Sequence, residues 1–236
     1  MSKTIVITGA SSGIGLTTAK LLAENNYHVA LLSRNLEPLR NLEASFDNVK
    51  AYACDVTNDS QVADVFNAVV AHFGGIDVLV NNAGLGIFDP LAEAKLADWH
   101  HMIDVNVKGL LSCVHAALPH LRARKGNLIN IGSVASHHVF ANSGVYCASK
   151  HAVLAISEAL RVELSSEIKV TTVSPGSVNT AFIHQTKNEQ LLESYVPSFE
   201  SGLPPEIIAQ QIKSIIELPK EAVMSEIIIR PNKATL

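Results

Sequence analysis

Tyr146 and Lys150 stand four residues apart in the run SGVYCASKHAVLAISEALRVEL, and Ser133 closes the apolar run NLINIGS upstream of them. If the chain is helical from Gly144 onward, four residues make one turn, so the phenol and the ammonium project from the same face. Such a pair suits proton transfer. Free tyrosine ionises near pH 10, so a tyrosine acting as acid or base near pH 7 needs its phenolate favoured by about 3 units, roughly 4 kcal/mol. The adjacent lysine is expected to supply part of this. Ser133, a hydroxyl at a strand end, is placed to join them.

A second constellation lies near the N-terminus. TGASSGIG, from Thr8 to Gly15, follows an apolar run directly and opens a helical pattern through Leu16, Ala19, Leu22 and Ala23. That is the setting a dinucleotide site requires. Gly9, Gly13 and Gly15 permit a tight turn, close approach of backbone to a pyrophosphate, and contact between helix and sheet. With Ser11, Ser12 and Ile14 between them, the helix start would present unpaired N–H groups to the phosphates. The spacing is GxxxGxG and not GxGxxG, and taken alone the run also reads as a turn with a helix cap. At the end of the next strand, LLSRN carries no carboxylate to hydrogen-bond a ribose 2′-hydroxyl. Ser33 and Arg34 are instead the types that receive a 2′-phosphate, which favours NADP over NAD.

Elements that could position these groups follow from the alternation of short β-branched runs with longer helical ones, the signature of parallel βα units. Strands are expected near 3 to 8, 27 to 33, 49 to 55, 76 to 81, 127 to 133, 168 to 174 and 225 to 230. Helices are expected near 13 to 25, 35 to 45, 59 to 73, 96 to 120, 144 to 165 and 205 to 217, with a further segment near 181 to 195. The fold class is α/β: a doubly wound, Rossmann-type, seven-stranded and mainly parallel sheet with helices on both faces. All 236 residues read as one dinucleotide-binding and catalytic domain, with a segment of about 177 to 205 covering the substrate. On a helical wheel the 144 to 165 run shows an apolar arc of roughly 200°, wider than one sheet-facing stripe. Its small stripe, Ala148, Ala152, Ala155 and Ala159, would admit a helix of this chain or of a second copy.

Composition excludes several classes. Apolar residues make up 47% and charged ones 17%, which argues for a core and against disorder. A formal charge of -4 without a basic block gives no footprint for nucleic acid or an anionic membrane. No apolar run is long enough for a membrane span, and MSKTIVITG leaves no room for a secretory leader, so a cytoplasmic protein is expected. Cys54, Cys113 and Cys147 show no CxxC pattern and suit reduced, buried thiols. The ten histidines include the adjacent pairs His100–His101 and His137–His138, spacings that do not suit a metal, and none is expected.

With TGASSGIG, NNAG at 81 to 84, Asn106, Ser133, YCASK at 146 to 150 and PG at 175 to 176, the chain resembles the short-chain dehydrogenase/reductases nearly end to end. By that resemblance Tyr146 is the general acid in carbonyl reduction and the general base in alcohol oxidation, and with Lys150 it also contacts the cofactor. Lys150 resembles the lysine that binds the nicotinamide ribose and lowers the tyrosine pKa. Ser133 resembles the hydroxyl that holds the substrate carbonyl, and Asn106 the residue that positions a water for the proton relay. Asp55 and Val56 resemble the pair beside the adenine, and Asn82, Ala83 and Gly84 the turn behind the adenosine ribose. Pro175, Gly176, Val178 and Thr180 resemble the loop that meets the carboxamide. Ser12 departs from the basic residue many NADP-using members place before Gly13, so NADP rests on Arg34.

The resemblance implies an NADP(H)-dependent oxidoreductase interconverting a carbonyl compound and its alcohol, assembled as a homodimer or homotetramer. The alternative is a catalytically silent NADP(H)-binding sensor of the same fold. The end EIIIRPNKATL is similar to a hydroxy-acid and clavulanate-type dehydrogenase subgroup. Substrate is expected to meet 85 to 88, 135 to 145 and 182 to 199, whose Phe88, Phe140, Phe182, Tyr195 and Phe199 suit a carbonyl compound with apolar surface. His137 and His138 either contact it or stand in solvent.

Overall fold

Apolar β-branched runs place seven strands side by side in a computed structural model that describes residues 2–232. The strands are β1 (Thr4–Thr8), β2 (His28–Ser33), β3 (Val49–Ala53), β4 (Val78–Asn81), β5 (Asn127–Ile131), β6 (Lys169–Pro175) and β7 (Glu226–Ile229). They form one all-parallel sheet in the order β3-β2-β1-β4-β5-β6-β7. Alternation along each strand sends side chains to two separate cores. Val6, Leu79, Leu128 and Val170 face one cluster; Ile5, Ile7, Val78, Val80, Ile129 and Val173 face the other. A parallel sheet buried on both faces explains why β1 reads as TIVIT with every residue buried.

The helices are α1 (Gly13–Glu24), α2 (Arg40–Ser45), α3 (Asp59–Phe73), α4 (Leu96–Ile103), α5 (Leu110–Arg124), α6 (Gly144–Leu164), α7 (Glu189–Glu200) and α8 (Pro205–Glu217). α1 and α8 cover the second cluster, while α3, α5 and α6 cover the first. Because β1 lies between β2 and β4, the chain reverses direction across the sheet there, and the crevice beyond the strand ends opens at that point.

Three expectations about helices are corrected. The single helix expected at 96 to 120 is α4 and α5 joined by a π-helical turn, Asp104–Gly109. It runs through Pro119 to Arg124 before Lys125 turns left-handed at φ 48°. The segment expected near 181 to 195 is a short 3₁₀ turn, Ala181–Gln185, followed by α7. Asn188 sets the start of α7 by accepting the Leu191 N–H at 3.2 Å. The expected helix from 35 begins as a 3₁₀ turn at Glu37–Leu39 with Pro38 in its first turn, and becomes α-helical only at Arg40.

On α6, Val153 is buried, and Ile156, Leu160 and Leu164 pack against the core. Ala148, Ala155 and Ala159 are exposed, and Val162 is 77% exposed. The wide apolar arc is thus only half covered by described residues of this chain. Cys54, Cys113 and Cys147 are free and buried. Among the described residues no helix is long and apolar enough to cross a membrane, and no three His, Cys, Asp or Glu side chains converge as a metal would need. Lys233 to Leu236, part of the run used for the subgroup resemblance, lie outside the described residues.

Candidate active site

The glycine-rich turn is locked from both sides. Gly9 and Gly13 have φ of 63° and 50°, values that glycine adopts without strain. A Cβ on Gly9 would sit 2.8 Å from the Ala83 Cα, and one on Gly15 would sit 2.4 Å from the Gly9 carbonyl oxygen. Thr8 Oγ1 accepts the backbone N–H groups of Asn82 and Ala83, both at 3.0 Å. Asn82 Nδ2 donates in return to the carbonyls of Thr8 and Gly9 at 2.9 and 3.0 Å. Thr8 thereby ties the end of β1 to the end of β4. No side chain caps α1 and no acidic residue stands in its first turn, so its leading N–H groups are left for an anion. This cradle fits a pyrophosphate.

Around the crevice runs a cavity of about 660 Å³. Gly9, Ser11, Ser12, Gly13, Ile14, Ser33, Arg34, Asp55, Val56, Asn82, Ala83 and Gly84 line one part of it, and Ser133, Tyr146, Lys150, Pro175, Gly176, Val178 and Thr180 another. Two of the sequence-predicted residues stand behind this wall. Gly15 packs beneath the turn against Gly9 and Asn82. Asn106 is 2% exposed. At the β2–β3 end, Arg34 is exposed. Asp55 is held below the ordinary carboxylate range. Its burial pulls upward, but the Thr57 N–H at 3.0 Å, the Thr57 hydroxyl at 2.7 Å and the positive charge of Arg34 outweigh it.

Tyr146, Lys150 and Ser133 come together where α6 begins beside the end of β5. All three are buried, at 8%, 6% and 8% exposure. Lys150 Nζ lies 5.9 Å from the centre of the Tyr146 ring and donates to the Ile131 carbonyl at 2.8 Å. Ser133 caps the 3₁₀ turn Val134–Ser136 by accepting the Ala135 N–H at 3.1 Å, which leaves its own hydroxyl proton to give elsewhere. Burial pushes the Tyr146 phenol up to about 12, against the opposing pull of the Ser133 hydroxyl. Burial likewise pulls Lys150 down to about 8. Desolvation is the leading cause for both groups, because burial disfavours each charged form.

Asn106 sits in the π-helical turn. Its Nδ2 donates to the Leu85 carbonyl at 2.8 Å and to Ser149 Oγ at 3.0 Å, and its Oδ1 accepts the Leu85 N–H at 2.8 Å. Both amide donors are therefore occupied, and the side chain anchors the strand exit at Leu85. Gly84 is the narrow point: a Cβ there would lie 3.3 Å from Asn106 Oδ1 and 3.6 Å from Lys150 Nζ.

Aromatic rings wall the remaining side. Tyr146 meets Phe88 edge-on at 5.5 Å and Phe182 at 5.6 Å; Phe88 meets Tyr195, and Phe182 stacks on Phe199. Tyr195 on α7 donates its hydroxyl to the Ala141 carbonyl at 3.2 Å, closing the segment after β6 over the loop before α6. Of the two histidines, His137 is bonded to Glu226 at 2.7 Å, and Glu226 also accepts from the Ser174 hydroxyl at 2.9 Å. His138 faces Arg230. Arg230 and Pro231 line the cavity and were missed. The signal available was their place directly after the last apolar run.

Comparison with known proteins agrees with this geometry. The family model for short chain dehydrogenases matches residues 3–191. An uncharacterized oxidoreductase of Staphylococcus saprophyticus is 40% identical over 240 residues, covering 99% of this chain and 98% of the relative. An alcohol dehydrogenase from the archaeon Thermococcus sibiricus, complexed with 5-hydroxy-NADP, superposes with a TM-score of 0.89 at 28% identity over 100% of this chain and 99% of its own. A closed form of serine dehydrogenase complexed with NADP+ superposes with a TM-score of 0.92 at 29% identity, covering 99% and 96%.

Proposed function

The chain belongs to the short-chain dehydrogenase family and is an oxidoreductase of that type, and from that premise we propose that it interconverts a carbonyl compound and its alcohol with NADP(H). The observation that carries the reading is the meeting of Tyr146, Lys150 and Ser133 in the same cavity as the glycine-rich turn. The whole chain serves as one cofactor-binding and catalytic domain, built on its single sheet.

Gly9, Ser11, Ser12, Gly13 and Ile14 would hold the pyrophosphate, with Gly15 allowing the turn its shape. Ser33 and Arg34 would take a 2′-phosphate, Asp55 and Val56 the adenine, and Asn82, Ala83 and Gly84 the adenosine ribose. Lys150 would hold the nicotinamide ribose, and Pro175, Gly176, Val178 and Thr180 the carboxamide. Once bound, the nicotinamide supplies or receives the hydride. In reduction Tyr146 gives its proton to the carbonyl oxygen; in oxidation it takes the alcohol proton. Ser133 donates its free hydroxyl proton to the same oxygen and stabilises the charge growing there. Asn106 positions Leu85, and with it the floor beside Lys150. The aromatic wall excludes water and takes the apolar part of the substrate.

NADPH and NADH consumption over a panel of ketones, diketones and aldehydes tests the proposal. Turnover with NADPH ahead of NADH is expected. Arg34→Asp should raise the KM for NADPH at least tenfold more than that for NADH, because a paired guanidinium–phosphate contact is replaced by repulsion. Equal effects on the two cofactors would remove the NADP assignment, and no turnover anywhere would favour a silent binding protein.

The pH dependence follows from two signs. A phenol raised to about 12 is protonated throughout the neutral range, ready for reduction, whereas oxidation needs the phenolate and should quicken as pH rises. Lys150 is cationic below about 8 and loses its charge above it. We therefore expect kcat/KM for reduction to be level from about pH 6 to about pH 7.5 and to fall above pH 8, while oxidation climbs. Profiles that move together in both directions would contradict this assignment.

The exposed stripe Ala148, Ala155, Ala159 and Val162 on α6 supports assembly as a homodimer or homotetramer. A reducing, cytoplasmic setting suits the three free, buried cysteines.

A further inference from the structure

Ser133 stands on a support that is weak by itself. The turn it caps, Val134–Ser136, is a single 3₁₀ turn, whose hydrogen bonds are less well aligned than those of an α-helix. Ser133 Oγ accepts the Ala135 N–H at 3.1 Å, and Ser136 Oγ accepts the Ser133 N–H at 3.2 Å. His137 ends the turn with its own N–H on the Val134 carbonyl at 3.1 Å. The direction of the Ser133 hydroxyl is therefore set by the turn. Beyond it the chain enters an exposed stretch, His138 to Ala141, so the far end of the turn depends on what holds His137.

Glu226, at the start of β7, is that holder. Its Oε1 lies 2.7 Å from His137 Nε2. An ionised carboxylate only accepts, so Nε2 carries the proton and donates it. The same oxygen accepts the Ser174 hydroxyl at 2.9 Å. Ser174 is fully buried on β6 and faces Gly132, the residue before Ser133. A Cβ on Gly132 would lie 2.9 Å from Ser174 Oγ and 3.2 Å from Ser136 Oγ, so the bare glycine lets strand and turn close on each other. Gly132 is also tied to β6 by its N–H, which donates to the Val173 carbonyl at 2.8 Å. One carboxylate thus reaches both flanks of Ser133, the strand end through Ser174 and the turn end through His137. Hydrogen bonds to an ionised acceptor are about twice as strong as neutral ones, which suits a tether.

The tether stands apart from the reacting atoms. Ser133, Val134 and Ala135 line the cavity, whereas His137, Ser174 and Glu226 do not. β7 lies two strands from β5, about 10 Å at the usual strand spacing, so Glu226 reaches Ser133 only through β6 and the turn.

We propose that His137 and Glu226 are positioning residues for the oxidoreductase reaction, a pair that aims the Ser133 hydroxyl at the oxygen of the substrate carbonyl. This deepens the oxidoreductase reading and rests on it. The pair makes and breaks no bond with substrate or cofactor. It acts through geometry, because a donor stabilises growing charge only when it already points at the oxygen on which the charge appears. Without the tether the turn drifts, and the cost falls on kcat and not on binding. The glycine-rich turn is held by Thr8 and Asn82, and the aromatic wall by Phe88 and Phe182, none of which the pair touches.

The test measures reduction of benzaldehyde and of butanedione by NADPH with the full-length protein. His137→Phe and Glu226→Leu should each lower kcat about tenfold, the scale of a misplacement smaller than about 1 Å, with KM and the NADPH dissociation constant changed by less than about threefold. His137→Gln, whose amide can donate where Nε2 does, and Glu226→Gln, which keeps an accepting oxygen, should restore kcat to within about threefold of the parent. In a Ser133→Ala background His137→Phe and Glu226→Leu should each cost less than about twofold more, because the hydroxyl they aim is gone. The proposal is overturned if their losses multiply with that of Ser133→Ala, if either keeps the kcat of the parent, if the Gln variants are as slow, or if KM rises in place of the fall in kcat. Turnover that Tyr146→Phe removes supports the oxidoreductase reading whatever becomes of the pair. If the parent turns over neither compound, amide exchange decides. The Ala135 N–H, held by Ser133 Oγ, should exchange at least about tenfold faster in His137→Phe than in His137→Gln, and equal rates defeat the proposal.

Discussion

Replacing Tyr146 by phenylalanine should lower kcat in both directions by about 10² to 10⁴, the usual contribution of a positioned acid or base. The phenol is the one group in the buried cluster able both to give and to take a proton at the carbonyl oxygen, since the Ser133 hydroxyl oxygen is tied to the Ala135 N–H. The ring keeps its contacts with Phe88 and Phe182, so the fold should stand. NADPH binding should weaken by no more than about threefold, because the glycine-rich turn is held by Thr8 and Asn82 and only one hydroxyl contact is lost. Single-turnover oxidation of NADPH, read beside a fluorescence titration, separates the two. A variant within tenfold of the parent would exclude Tyr146 from the proton transfer.

The second large effect is expected from Gly15→Ala. The methyl would sit 2.4 Å from the Gly9 carbonyl oxygen and 2.5 Å from Asn82 Nδ2, and neither can yield cheaply. Asn82 is the clamp, spending its amide on the carbonyls of Thr8 and Gly9. Overpacking and the loss of buried hydrogen bonds together cost about 2 to 4 kcal/mol. Cofactor affinity should fall by about 100-fold, with a lower Tm, although Gly15 does not line the cavity. Gly74→Ala is a control for glycine replacement as such, because no atom lies within 4 Å of its added Cβ; its φ of 80° should lower Tm alone. A Gly15→Ala protein that binds NADPH like the parent would show that the turn has room to relax.

How far the sequence carried depended on whether position alone fixed the physics. Strand and helix periods reported which faces must be buried, so the seven strands and their parallel pairing were legible from β-branched runs such as TIVIT and NLINI. Four-residue spacing brought Tyr146 and Lys150 to one face of α6. What spacing could not report was desolvation. The depth at which Tyr146 lies depends on Phe88 and Phe182, from distant parts of the chain, and that burial raises the phenol's pKa. Asn106 was found by type, but its engagement with Leu85 depends on a π-helical turn that a helical wheel does not reveal. Arg230 stands in EIIIRPNKATL, a run read only for its subgroup resemblance and not for site residues. It matters only because β7 lies beside β6, which makes its neighbourhood a property of sheet order rather than of local sequence.

The pairing of β1 with β4 also dictates when the protein can acquire its nucleotide site during synthesis. Thr4 meets Asp77 across 73 residues, and Thr8 meets Asn82 across 74. A nascent chain that has released β1, the turn and α1 holds every glycine it needs and nothing to hold them against. Closing so long a loop carries an entropic cost that grows only slowly with length, so the decisive event is the emergence of β4 from the ribosome. Until Ala83 is clear, the turn is a length of flexible polymer; afterwards it is a socket.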